Sequence, residues 1–187
     1  MKMLTTPLTL DKIASLSAGD IVSITGIIYT ARDAAHKKIL EAIAKKKALP
    51  ASARQAGLPF DLKSQIIYYA GPTPAVKAMP IGSCGPTTSS RMDSYTVPLL
   101  EKELKGMIGK GKRSEEVIKA IKKHKAVYFL AVGGAAALLA TKIKKSKIIA
   151  YSELGTEAIR ELEIKDFPVI VAIDSKGKNI FDRKKKG

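Results

Sequence analysis

Ile21-Val-Ser-Ile-Thr-Gly-Ile-Ile-Tyr29, running without a break into Thr30-Ala-Arg-Asp-Ala-Ala-His36, is the stretch on which the fold turns. The first nine residues are rich in β-branched side chains with partial alternation, and Gly19-Asp20 supplies a turn ahead of them, so they read as a strand. The period then changes. Asp33 can cap a helix over 33–46 whose buried stripe is Ala35, Ile39, Leu40 and Ile43. The same strand-then-helix order recurs downstream. Ser114 caps a helix with Glu115 and Glu116 in its first turn, Val117, Ile118 and Ile121 inside, and Lys122 and Lys123 at its end. Residues 126–132 read as a strand, Gly133-Gly134 as a turn, 135–142 as an Ala-rich helix, 147–151 as a strand, 156–162 as a short helix and 169–174 as the last main strand.

This alternation predicts an α/β C-terminal half with neighbouring parallel strands. The N-terminal half is richer in strand, with 8–10 and 66–70 added, a loop at 50–59 and a helix at 98–107. The expectation is one compact domain over residues 1–187, combining a β-rich layer with an α/β layer.

Composition narrows the classes. Hydrophobic residues make up 45% of the 187, which suits a folded chain, and with 5% aromatics and no Trp the core must be mostly Ala, Val, Ile and Leu. The 33 basic against 17 acidic residues give +16, a field that attracts nucleic acid, a membrane surface, an acidic partner or a small polyanion without choosing among them. The lysine runs at 45–47, 122–125, 142–147 and 184–186 read as solvated helix ends or tails. A single cysteine, Cys84, excludes an internal disulfide, and with only His36 and His124 beside it the chain cannot build a soft-metal site alone. Cys84 reads as a small buried residue. The longest apolar stretch, 126–140, has 15 residues interrupted by Gly133-Gly134, short of the roughly 20 that span a bilayer. Nothing at the N-terminus reads as a secretory or transit peptide, so a cytoplasmic location is expected.

Chemistry concentrates at a few places. Gly85-Pro-Thr-Thr-Ser-Ser-Arg-Met-Asp-Ser-Tyr95 packs hydroxyls, one guanidinium and one carboxylate into a polar loop ahead of a helix, where a small anion can be held. Its plainest alternative is a solvated Ser/Thr loop. Arg32 leaves a strand just before a helix N-terminus, and its alternative is a surface arginine paired with Asp33 or Glu41. His36 reads as a packed or capping histidine. In Gly109-Lys-Gly-Lys-Arg-Ser114, two glycines flank Lys110 and allow close approach to a ligand. Val132-Gly-Gly-Ala-Ala lacks the spacing of a nucleotide-binding glycine loop and is better explained by helix–strand packing. Arg32, Arg91 and Lys110 together suit a substrate with two carboxylates, each end gripped by a cation.

These motifs, in this order, resemble the β subunit of class I, iron–sulfur-dependent fumarate hydratase, the counterpart of the C-terminal domain in single-chain versions. The tartrate dehydratase β subunit is a close relative. The resemblance covers about residues 8–182. It implies a swivelling β/β/α domain, with a mixed sheet and flanking helices. It also implies an α-subunit partner that carries a four-iron, four-sulfur cluster on three cysteines, so that this chain binds no cofactor itself. It further implies that Arg32, Arg91 and Lys110 bind substrate carboxylates, that Thr87 is the catalytic base and that Thr88 contacts substrate. Lys112 stands where the family pattern Lys-Gly-Asn-Arg-Ser has an asparagine. The expected activity is reversible hydration of fumarate to malate by an enzyme that is inactive without its α subunit. Expected partners are that subunit, a dicarboxylate and, as an option, a second β chain; neither membrane nor nucleic acid is expected. L(+)-tartrate is the alternative substrate. A basic nucleic-acid-binding module and a purely structural subunit are the alternatives of other classes; the low aromatic count and the lack of a nucleic-acid-binding motif oppose the former.

Overall fold

The computed structural model describes residues 1–48, 58–75, 79–132 and 134–182. Its elements are β1 (Lys2–Thr5), α1 (Leu10–Ala14), β2 (Ile21–Thr30), α2 (Asp33–Ala48), β3 (Ile66–Tyr68), a 3-10 turn (Ser89–Met92), α3 (Asp93–Glu101), β4 (Gly106–Gly109), α4 (Glu115–His124), β5 (Val127–Leu130), α5 (Ala136–Thr141), β6 (Ile143–Ala150), a second 3-10 segment (Ser152–Glu157) and β7 (Ile159–Ile173).

The strands form one mixed sheet in the order β1-β2-β3-β4-β5-β7-β6, and β2 also pairs with β7, so β2, β3, β4, β5 and β7 close on themselves. Within the ring β2 to β5 run parallel, while β7 is antiparallel to both β2 and β5. Both faces of these strands are buried. Ile66 and Tyr68 join Val22, Ile24, Ile28, Ile108, Phe129, Phe167 and Val171 in one cluster. The alternate residues Ile67, Met107, Tyr128 and Ile173 join a second cluster, with Ile39 of α2, Leu99 and Leu100 of α3, and Val117 and Ile121 of α4. The period of two thus divides barrel interior from helix-covered exterior. It also explains why these strands read as nearly continuous apolar runs. Because β2, β3, β4 and β5 are parallel, the chain after Thr30, Tyr68, Gly109 and Leu130 emerges on one rim.

The mixed α/β architecture with flanking helices is as expected, and α2 and α4 fall where the sequence puts them. Ser114 caps α4, its side chain accepting from the Val117 amide at 3.3 Å. Four local expectations fail. Residues 8–10 are not a strand: Thr9 caps α1, and the first strand is Lys2–Thr5, of which only Leu4 is buried. The helix expected over 98–107 instead runs Asp93–Glu101, continuing directly from the 3-10 turn, and Gly106-Met-Ile-Gly109 is a fully buried strand. Pro98 suggests a helix start but lies inside α3. Of the helix expected over 156–162, residues 156–157 close the second 3-10 segment and 159–162 begin the long strand β7. There Leu162 and Ile164 are buried, while Glu161 and Glu163 register against Lys147 and Lys145 of the basic strand β6. The C-terminal half is consequently not all parallel, since β6 and β7 run antiparallel. The loop expected at 50–59 lies largely outside the described residues, as do Gly133 of the glycine pair and the lysines at 184–186.

Candidate active site

The rim holds the predicted site residues in two groups. Arg32 lies two residues beyond β2. Its Nη2 is 3.6 Å from Glu157 Oε1 and 3.8 Å from Asp33 Oδ2. Arg91, on the 3-10 turn, donates from Nε to Asp33 Oδ1 and from Nη2 to Asp33 Oδ2, both at 3.0 Å. One carboxylate therefore draws two guanidinium groups together, although Arg32 and Arg91 are far apart in sequence. Asp33 was expected to cap α2. The structure instead turns its carboxylate to the arginines, and Glu157 Oε2 accepts from the Ala34 amide at 2.9 Å. Glu41, the other partner considered for Arg32, makes no ion pair with it among the described residues. Arg32 packs over Gly71, where a Cβ would stand 2.9 Å from its Nη1.

The second group is built by backbone pairing. The segment after Pro86 runs alongside the end of β4. Thr87 N donates to Tyr69 O at 2.7 Å, Lys110 N to Thr87 O at 3.1 Å and Ser89 N to Lys110 O at 2.9 Å. Thr88 and Lys110 form a parallel bridge. Thr87 is half-buried, whereas Thr88 and Lys110 are exposed. The 3-10 turn that follows Thr88 carries Arg91, so one short segment links the threonine–lysine group to the arginine pair. This rim lies at the carboxyl ends of the parallel strands β2 to β5. A pocket of about 300 Å³ opens beside it, lined by Lys110, Gly111, Leu130, Ala131, Val132 and Phe181, among others.

Under the rim lies a polar layer that sequence reasoning did not isolate. Arg113 is buried. It donates to Asp93 Oδ1 at 2.7 Å and Thr96 Oγ1 at 2.6 Å, and its Cζ stands 5.4 and 5.1 Å from the ring centres of Tyr69 and Tyr128. Burial opposes its charge, but Tyr69 and Asp93 outweigh that and keep its pKa above the ordinary value. Asp93 Oδ2 also accepts from the Ser114 amide at 2.7 Å. The only sequence signal was position: Arg113 stands beside the helix-capping Ser114, and Asp93 follows Arg91-Met92.

His36 is packed, not exposed to the rim. Its Nδ1 lies 2.8 Å from Arg32 O and so carries the ring proton, while Nε2 has no partner. Burial pulls its pKa down to about 4. Because the unfolded chain binds the proton more readily, stability from this group is complete above the unfolded pKa near 6.5 and falls as pH drops toward 4. The loss should be on the order of 3 kcal/mol. Urea melts at stepped pH should show that decline in the native chain, and His36→Gln should flatten it.

The donors among the described residues do not fit an iron–sulfur cluster. Among the described residues no group of three or more His, Cys, Asp and Glu could hold a metal. Cys84 is buried, and burial pushes its thiol pKa up to about 12, so it offers no thiolate at neutral pH. Among the same residues no helix is long and apolar enough to cross a membrane.

The fold is a mixed α/β barrel with two arginines, a lysine and two adjacent threonines on the rim where its parallel strands end. Residues 2–184 match the family model described as Fumarase C-terminus, and the chain belongs to that family. It is 43% identical over 165 residues to the anaerobic class I fumarate hydratase of Escherichia coli (strain K12), covering 87% of this chain and 28% of that protein. It is 37% identical over 175 residues to fumarate hydratase 2 of Leishmania major, covering 92% of this chain and 29% of the relative. A Methanocaldococcus jannaschii protein provisionally named L(+)-tartrate dehydratase subunit beta is 39% identical over 181 residues, covering 94% of this chain and 88% of that protein. The chain thus spans under a third of the fumarate hydratases it matches, but most of the tartrate dehydratase subunit.

Proposed function

We propose that this chain is the β subunit of a two-chain hydro-lyase that interconverts fumarate and malate, completed by an α subunit. The observation that carries the reading is the junction at Asp33, where Arg32 and Arg91 meet on the rim that also bears Thr87, Thr88 and Lys110. In this proposal Arg32 and Arg91 take one substrate carboxylate and Lys110 the other, which fixes the diacid across the rim. Their positive charge also stabilises the electrons that collect toward a carboxylate when the neighbouring carbon loses its proton. In the same proposal Thr87 takes that proton and Thr88 contacts substrate beside it. A threonine hydroxyl is a weak base and needs an activating carboxylate. Among the described residues no carboxylate hydrogen-bonds Thr87, so the activating group is assigned to the α subunit. Any cluster is assigned there too, because the donors among the described residues do not fit one.

L(+)-tartrate is the second reading, favoured by the near full-length match to the Methanocaldococcus subunit. The test is reconstitution. The purified chain alone should turn over neither diacid; mixed with its α subunit it should hydrate fumarate and dehydrate malate. Preference for tartrate in that assay selects the second reading, and turnover by the single chain overturns the proposed division of labour.

A further inference from the structure

The two loops that carry Thr87–Thr88 and Lys110 are joined beneath the rim by one phenol. Tyr128 of β5 is fully buried. Its hydroxyl donates to Gly111 O at 2.8 Å and lies 2.9 Å from Ser89 Oγ. A phenol has one proton and a carbonyl can only accept. The proton therefore goes to Gly111, and the Ser89 hydroxyl donates to the tyrosine oxygen. Ser89 directly follows Thr88, and Gly111 directly follows Lys110. The loops come so close that a Cβ on Gly109 would sit 2.0 Å from Ser89 Oγ. Arg113, 5.1 Å from the Tyr128 ring centre, fixes the ring from the helix side.

We propose that Tyr128 is a positioning residue for the active rim, its hydroxyl setting the spacing between the Thr87–Thr88 hydroxyls and the Lys110 ammonium. It does this without touching substrate, and the proposal rests on the reading of that rim as the diacid site. Arg32 lies on a separate segment, and Arg91, although it shares the Ser89–Met92 turn, is held by Asp33, so the arginines keep most of their hold on a carboxylate when the phenol is lost. Loosening the threonine–lysine pairing therefore lowers kcat more than it raises KM, since small misplacements near reacting atoms cost rate steeply.

The experiment uses Tyr128→Phe, which removes only the hydroxyl, and Ser89→Ala, which removes its partner. Amide hydrogen exchange of the full chain is measured alongside kinetics of the chain assembled with its α subunit. The expected result is exchange roughly tenfold faster at the Ser89 and Lys110 amides with α4 unchanged, kcat lower by about tenfold, and KM within about twofold. Unchanged exchange at those two amides overturns the proposal. So does a uniform rise across the barrel, which marks a packing role only, or faster local exchange with native kcat. If the native assembly turns over no diacid, the hydratase reading fails by itself, and the exchange result still decides whether Tyr128 positions the two loops.

Discussion

Arg91→Ala in the assembled enzyme is expected to lower kcat/KM by about 10²–10³, corresponding to roughly 3–4 kcal/mol of transition-state stabilisation. The guanidinium is half exposed and presents two parallel N–H groups, both now on Asp33. That is the geometry in which arginine grips a carboxylate bidentately. A substrate carboxylate can take the place of Asp33 on that fork, or join it at the shared junction with Arg32. Either route fails without the guanidinium. Arg91→Lys keeps the charge but not the planar fork, so it should recover only part of the loss. The fold should not suffer, because an exposed ion pair contributes little stability. Equal thermal midpoints for native and Arg91→Ala chains, together with steady-state kinetics of both assemblies, make the check. Native turnover in Arg91→Ala would remove this rim as the place where substrate carboxylates bind.

What the sequence disclosed depended on the range of the interaction involved. The strand read at 21–29 and the helix read at 33–46 announce themselves through local periodicity, and the helix after Ser114 through its cap as well, and all three are present. Gly106-Met-Ile-Gly109 has no such signal, because four residues buried on both faces are specified by their neighbours β3 and β5, not by their own alternation. Residues 159–164 carry an apolar spacing that fits a short helix as well as a strand. Pairing with the lysines of β6 resolves the choice, with Lys145 Nζ 2.8 Å from Glu163 Oε2. Of the proposed site residues, Arg32, Arg91, Lys110 and the threonines stand out in the sequence because each sits in a compact motif of unusual composition. Their cross-connections were not. Asp33 meets Arg91, and Tyr128 meets Ser89, across separations that only the closure of the barrel brings together.

The arginines of the rim are partly paired with carboxylates, despite the chain's net charge of +16. Asp33 and Glu157 stand among its arginines, so the guanidinium heads are oriented before any ligand arrives and are not left to repel one another. Such orientation favours a ligand that matches a fixed spacing over any polyanion, because binding energy then depends on geometry and not on total charge. This is the physical reason for preferring a small diacid to a nucleic acid as the partner of this surface.

Arg113→Ala should be the most destabilising single change at the site, by about 3–5 kcal/mol, the range for removing one partner of a buried ion pair. The guanidinium has no exposed side-chain surface and Asp93 little. Its loss strips Asp93 of a 2.7 Å bond and Thr96 of a 2.6 Å bond, and opens a gap between the rings of Tyr69 and Tyr128. Asp93 keeps its bond from the Ser114 amide, which places the effect toward the lower end of the range. For a chain of 187 residues, that corresponds to a fall in Tm of about 10 °C. The pair can be separated from the volume it fills. Asp93→Asn alone leaves a buried guanidinium without its counter-charge, and Arg113→Met alone leaves Asp93 without its own, so both should destabilise, whereas Arg113→Met with Asp93→Asn keeps most of the volume and removes both charges. The double variant should therefore lose less than the sum of the two single losses, a coupling read from urea midpoints of the four chains. Additive losses would mean that Arg113 acts through packing alone. The charge pair would then have no part in fastening the Lys110 loop to the start of α3.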